Sequence, residues 1–170
     1  MLHQLYRRSC MFREMIRINQ KMSQERAEEV LNRNTGGVFC CIGDDGYPYG
    51  VPISYAYHDG KICFHSKSMG HKVDAIAANP KSCFTVIDQD EIVAEELTTY
   101  YRSVVAFGRT RLLEGQERLD ALWAIVEKYA GHLPREFKES EMADNQKAAV
   151  YAMDIDCMTG KEAIELVEDR

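Results

Sequence analysis

No stretch of the 170-residue chain approaches the ~20 apolar residues that a membrane-spanning helix needs. There is no Cys-x-x-Cys among the six cysteines at positions 10, 40, 41, 63, 83 and 157, so the paired close spacings that a zinc reading wants are missing. Those cysteines read instead as reduced, buried thiols acting as small hydrophobes. Neither G-x-G-x-x-G nor G-x-x-x-x-G-K-[ST] occurs, which removes a Rossmann site and a P-loop. No Ser-His-Asp order or carboxylate pair stands out, and nothing points to acid–base hydrolysis. Prolines number only four, and no biased tract is present, so disorder, collagen and coiled coil fail as descriptions of the whole. Positive charge is in deficit: 21 Lys and Arg against 27 Asp and Glu give a net charge of −6. Such a surface repels a phosphate backbone, and nucleic acid is not an expected partner. The early cluster Arg7, Arg8, Arg13 and Arg17 lacks the apolar stretch and cleavage site of a targeting peptide. A soluble, cytoplasmic protein with no membrane partner is the expectation, with Met11 an alternative start to Met1.

What is present is one domain's worth of chain, long enough to bury a core without disulfides or a structural metal. Ser23 can cap a helix from Gln24 to about Arg33, with Ala27, Val30 and Leu31 on one face, stopped by Asn34-Thr35-Gly36-Gly37. Strands follow. Val38 to Ile42 leads into an Asp44-Asp45-Gly46 hairpin, and Tyr49 to His58 alternates as one strand whose Pro52 suggests an edge or bulge. Asp59-Gly60 then turns into Lys61–Ser66. The period changes at residues 70–79, a short helix with Val73, Ile76 and Ala77 inward, ended by Pro80. Strands are expected again at 82–88 and 103–113, with 89–100 acidic and unassigned. Gln116 to Ala130 is the strongest helix, placing Leu119, Leu122, Trp123, Val126 and Tyr129 at helical spacing before Gly131. Residues 132–147 read as a connection or partly helical lid, and 149–157 as a last strand turning at Met158-Thr159-Gly160 into an acidic tail. Six or so strands with helices at irregular positions argue for an antiparallel barrel with peripheral helices.

Chemistry concentrates where a strand meets a helix, in Phe64-His65-Ser66-Lys67-Ser68-Met69-Gly70-His71-Lys72. Hydroxyls, a glycine and two cations gather where helix N–H groups are free, which suits a phosphate. The same residues also suit a solvated loop before a capped helix. His58, alone at a hairpin, reads as solvated, and Trp123 as core.

Taken in order, Gly50-Val51-Pro52-Ile53-Ser54-Tyr55, the tight hairpin, Phe64-His65-Ser66, Gly70-His71-Lys72 and Asn79-Pro80 resemble the FMN-binding split barrel of the pyridoxamine 5'-phosphate oxidase superfamily. Within it they are most similar to the nitroimidazole-resistance, or Nim-type, reductase branch. Tyr101 to Arg109 resembles that branch's long central strand, and the likeness covers roughly residues 11–162. It implies a mainly β fold with peripheral helices and a division into an extension (1–22), a barrel domain (23–162) and an acidic tail (163–170). It further implies a homodimer with flavin at the subunit interface. Val51, Pro52, Ile53 and Ser54 would then line the flavin ring, while His65, Ser66, His71 and Lys72 would hold its phosphate. Tyr101 and Ser103, with Tyr100, would line the partner's flavin pocket or, as aromatics entering a strand, serve only in packing. Arg109 would pair with phosphate or with the acidic tail.

FMN is the implied cofactor, with FAD an alternative and haem, through His65, behind both. No protein metal ligand set is implied. The activity implied is transfer of electrons from NAD(P)H to a small acceptor such as a nitro compound or quinone, a non-catalytic flavin or haem carrier being the alternative. His71 stands where the oxidase proper has an arginine, and residues 159–170 lack its substrate-binding arginine motif, so pyridoxamine phosphate is disfavoured as substrate.

Overall fold

The computed structural model describes residues 12–144 and 148–167. Arg7, Arg8, Cys10 and Met11 lie outside them. Seven strands, β1 (Gly36–Ile42), β2 (Pro48–Ser54), β3 (Ala56–His58), β4 (Lys61–Ser66), β5 (Lys81–Val93), β6 (Thr98–Leu112) and β7 (Ala149–Glu162), form one sheet. Its order is β2-β1-β5-β6-β7-β4-β3, with every neighbouring pair antiparallel. Around it stand α1 (Gln24–Arg33), α2 (His71–Ala78), α3 (Gly115–Ala130) and α4 (Arg135–Asp144).

The expected single strand from Tyr49 to His58 is two strands, and the break decides the architecture. β2 and β3 are parted by Tyr55 alone, yet they occupy opposite edges of the sheet. The sheet must therefore curl until its edges approach, giving a half-barrel that one residue spans. Alternation runs unbroken through the segment, so the pattern carries no trace of the change of edge. Pro52 sits on the edge strand β2, where a missing N–H costs no ladder bond on the open side.

Tyr55 is fully buried and anchored on every polar atom. Its hydroxyl donates to the Leu31 carbonyl at 2.7 Å. Its N–H donates to the Tyr129 hydroxyl at 2.9 Å, and that hydroxyl also lies against the carbonyls of Tyr55 (3.0 Å) and Thr35. Lys128 adds a cation 4.0 Å above the Tyr55 ring and a hydrogen bond to Leu31 O at 3.0 Å. The edge-to-edge crossing is thus clamped by α3 and by the last turn of α1.

Two cores divide the interior. Inside the curl, Phe39, Phe64, Phe84, Val86, Val104 and Met153 meet Ala27, Val30 and Leu31 of α1 and Ala75 and Ile76 of α2. Ser23 caps α1 as expected, its Oγ accepting the Arg26 N–H. Outside the curl, α3 covers β3, β4 and β7 with Ala121, Leu122 and Ile125 against Ala56, Cys63 and Val150. The buried face of α3 differs from the expected stripe: Leu119 is 44% exposed and Tyr129 is 37% exposed. Trp123 is half-buried beneath Arg135 and Lys138 of α4 rather than in the core. In α2, Ala75 is buried and Ala77 exposed, a rotation of the expected inward face.

The unassigned acidic stretch is strand. β5 and β6 run on as a ribbon to a turn at Ala94–Glu96, with a register shift between Ile87 and Gln89. At that shift, Asp88 accepts from Arg33, Asn34 and Arg102. β7 likewise continues through the expected turn at 158–160 and ends at Glu162, because Thr159, Gly160, Lys161 and Glu162 pair with Arg102 to Val105. Glu162 binds Arg26 and Arg102, so the chain Arg26–Glu162–Arg102–Asp88–Arg33 ties α1 to β5, β6 and β7.

Candidate functional site

The β4–α2 junction forms as its residues dictate. β4 ends on Ser66, and Gly70 takes φ +127°, a left-handed conformation that glycine accepts without strain. The Gly70 carbonyl then accepts the first turn's N–H groups of Val73 (2.8 Å) and Asp74 (3.1 Å). Earlier N–H groups of the helix are left pointing out of its start. His65 is exposed and Ser66 half-buried beside them.

Of the two cations at the helix start, Lys72 and His71 face different surroundings. Lys72 is half-buried, its Nζ 5.5 Å over the Phe64 ring. Burial lowers its pKa, and the nearby Cys41 thiol acts weakly against that. Among the described residues no carboxylate pairs with it. His71, in contrast, is stacked on Tyr49 of β2 with ring centroids 4.3 Å apart, and its Nε2 lies 3.4 Å from Asp44 Oδ1. The β1–β2 hairpin thereby leans on α2, with Gly43 close beneath the imidazole: a Cβ there would lie 2.8 Å from Nε2. Neither Tyr49 nor Asp44 was a candidate site residue, and a strand residue and a hairpin residue offer no signal in sequence of this contact.

Along β2, Val51 and Ile53 turn toward the core while Pro52 and Ser54 are exposed. Because β2 is an edge, half of its main-chain donors and acceptors face outward. A groove of about 500 Å³ opens here, walled by Gly37, Pro52, Ile53, Ser54, Thr85 and Tyr129. Gly37 lets β1 lie directly against the buried Phe84 ring, which a Cβ there would overlap. Tyr129 is a wall of the groove that helical periodicity had assigned to packing.

The remaining candidates stand on β6. Tyr101 is half-buried, its hydroxyl 3.3 Å from Gln20 Oε1 and its ring beneath Lys161. Ser103 faces Ile87 and Lys161 in register. Arg109 is exposed between Lys81 and Asp154 in register. Within one chain, the structure thus gathers His65, Ser66, His71 and Lys72 at one junction and Val51–Ser54 along the neighbouring edge.

A protein-family model described as pyridoxamine 5'-phosphate oxidase matches residues 23–162. Curated proteins give no match to the sequence. Several solved structures share the fold. A candidate 5-nitroimidazole antibiotic resistance protein from Bacteroides thetaiotaomicron is 21% identical, with a TM-score of 0.70, over 84% of this chain and 86% of that one. An FAD-binding protein from Mesorhizobium loti is 28% identical, with a TM-score of 0.61, over 84% and 96% of the two chains. An FAD- and haem-binding protein from Mycobacterium smegmatis is 18% identical, with a TM-score of 0.68, over 89% and 77%.

Proposed function

The chain belongs to the pyridoxamine 5'-phosphate oxidase family, and from that premise we propose that it is a flavin-dependent oxidoreductase of the Nim-like type. The observation that carries this reading is Lys72: a half-buried cation at a helix start with no carboxylate partner among the described residues. A lysine held this way costs desolvation that a bound anion would offset. Phosphate on a flavin side chain fits that place, with Ser66 and the free N–H groups of α2 as further donors. FMN is therefore the favoured cofactor. FAD, whose inner phosphate would meet the same groups, is the alternative.

The ring's share of the site is the β2 edge. Val51, Pro52, Ile53 and Ser54 would hold it largely by main chain, and the adjoining groove is walled by the same strand. A flavin, when bound, takes a hydride or electrons from a nicotinamide donor and passes them to a small acceptor such as a nitro group or quinone. The protein's part is to bind, orient and exclude water. His65, at the exposed end of β4, stands near the phosphate site. His71, already leaning on Tyr49 and Asp44, fixes the hairpin to α2 more than it neutralises phosphate. A homodimer follows from the same reading. Ile87, Ile92 and Leu97, 65–95% exposed on the β5–β6 ribbon, are apolar surface that a second copy would cover. In that dimer Tyr101 and Ser103 would line the partner's flavin pocket, and Arg109 would pair with phosphate.

The purified protein's visible spectrum, followed by chromatography of the released chromophore, tests the proposal. Flavin absorbance with FMN released is the expected result, and anaerobic NAD(P)H should bleach it. A flavin that no nicotinamide donor bleaches would make the protein a carrier, and a haem band without flavin would overturn the reading.

A further inference from the structure

Cys40 and Cys83 stand directly opposite each other on β1 and β5, far apart in sequence but register partners in an antiparallel pair. Residues so placed have Cα atoms about 4.5–5.5 Å apart, inside the window of about 4.4–6.8 Å that a disulfide spans. Both side chains leave the same face. Their neighbours Phe39, Cys41 and Phe84 fill the inner core, so alternation sends Cys40 and Cys83 outward. The sequence-based expectation of reduced, buried thiols holds in full for Cys41 and Cys63, whereas Cys40, Cys83 and Cys157 are only half-buried. Burial, and then the neighbouring Cys40 thiol, raise the pKa of Cys83. Cys40 and Cys83 border a shallow groove of about 280 Å³ shared with Pro48, Lys81 and Phe107. Gly50, beside them on β2, leaves the Cys40 sulfur room, since even a Cβ there would sit 3.5 Å away. Cys157 is set apart on β7, with Phe107 of β6 between it and Cys83.

We propose that Cys40 and Cys83 are a redox dithiol that a small hydroperoxide, such as hydrogen peroxide, converts to a cross-strand disulfide. One thiolate attacks the peroxide oxygen, giving a sulfenic acid and releasing the alcohol or water. The second sulfur then displaces hydroxide from the sulfenic acid, which leaves as water with the second thiol's proton. Two thiols lose two electrons, and the peroxide gains them. Half burial favours a small oxidant over a protein disulfide donor. The disulfide staples β1 to β5 on the face opposite the core. Because it needs only the two thiols and their register, the proposal is independent of the flavin reading.

The test uses the native, purified protein. It is treated with graded hydrogen peroxide, its remaining thiols are blocked with N-ethylmaleimide, and its peptides are mapped without reduction. The expected product is a peptide pair joined through Cys40 and Cys83 within one chain, lighter by two hydrogens than the dithiol and separated by dithiothreitol. Fragmentation distinguishes Cys40 from Cys41. In Cys83→Ser, Cys40 should instead accumulate as a sulfenic acid that dimedone labels. The proposal is overturned if Cys40 and Cys83 stay maleimide-reactive at a dose that oxidises Cys157. Linkage to Cys157 or between two chains overturns it as well. The mapping is made on the unaltered chain, so it decides the matter even if the serine variant does not fold.

Discussion

Replacing Tyr129 with phenylalanine removes one oxygen from the clamp at the edge-to-edge crossing. That oxygen accepts the N–H of the fully buried Tyr55 at 2.9 Å and lies against the carbonyls of Thr35 and Tyr55. Thr35 is exposed, so water can take over at its carbonyl. The Tyr55 N–H has no such replacement, and a stranded buried donor costs about 1–3 kcal/mol. Tyr129→Phe should therefore lose about 2 kcal/mol, or about 4–8 °C in Tm for a domain of this size. Tyr55→Phe provides the internal contrast. It deletes a 2.7 Å bond to Leu31 O, but Lys128 still donates there at 3.0 Å and no donor is stranded. Its cost should be about 1 kcal/mol. Urea unfolding followed by circular dichroism, with ligand content held fixed, measures both. A Tyr129→Phe loss under about 0.5 kcal/mol, or a larger loss for Tyr55→Phe, would show that water already satisfies the crossing.

Two charge predictions follow from groups whose pKa moves on folding. Burial pushes Asp88 up, but hydrogen bonds from Arg33, Asn34 and Arg102 outweigh it and bring the carboxyl to about 2. Its folded pKa is below the unfolded value, so the stability it contributes is present above the unfolded value of 3.8 and lost as pH falls toward 2. Asp88→Asn should flatten that acid loss in a pH series of unfolding curves; an unchanged acid limb would refute the assignment. Lys128 is brought down to about 8 by burial. The unfolded chain then binds the extra proton between pH 8 and 10.5, so this group makes stability rise with pH across that window. The stability difference between wild type and Lys128→Met should grow in favour of wild type from pH 8 to 10, and a constant difference would contradict the burial account.

Much of the fold is legible from periodicity wherever an element has a face to bury. Ser23 and the Ala27, Val30, Leu31 stripe place α1 to the residue. The strands around Phe39, Phe64 and Phe84 announce themselves because each pays into the inner core. The β5–β6 ribbon did not, since no residue from Gln89 to Ser103 is fully buried and its acidic runs leave no apolar phase to read. The split at Tyr55 was illegible for a different reason: the chain changes edge without changing pattern, and only the hydrogen bonds of α1 and α3 reveal the crossing. At the site, hydroxyl, glycine and lysine types marked the β4–α2 junction. The partner that each cation takes was hidden. His71 finds Tyr49 and Asp44 on a different hairpin, while Lys72 finds an aromatic ring and, among the described residues, no acid.

That asymmetry between the two cations makes Lys72→Met the most direct test of where the flavin's phosphate sits. Binding of FMN and of riboflavin to the flavin-depleted protein, followed by fluorescence quenching, separates the phosphate's contribution from the ring's. A charge-assisted hydrogen bond is worth about 1.5–3 kcal/mol. Lys72→Met should therefore weaken FMN by about 10- to 100-fold while leaving riboflavin within about 2-fold of wild type. Equal weakening of both, or no weakening of FMN, would contradict the assignment of Lys72 to the phosphate.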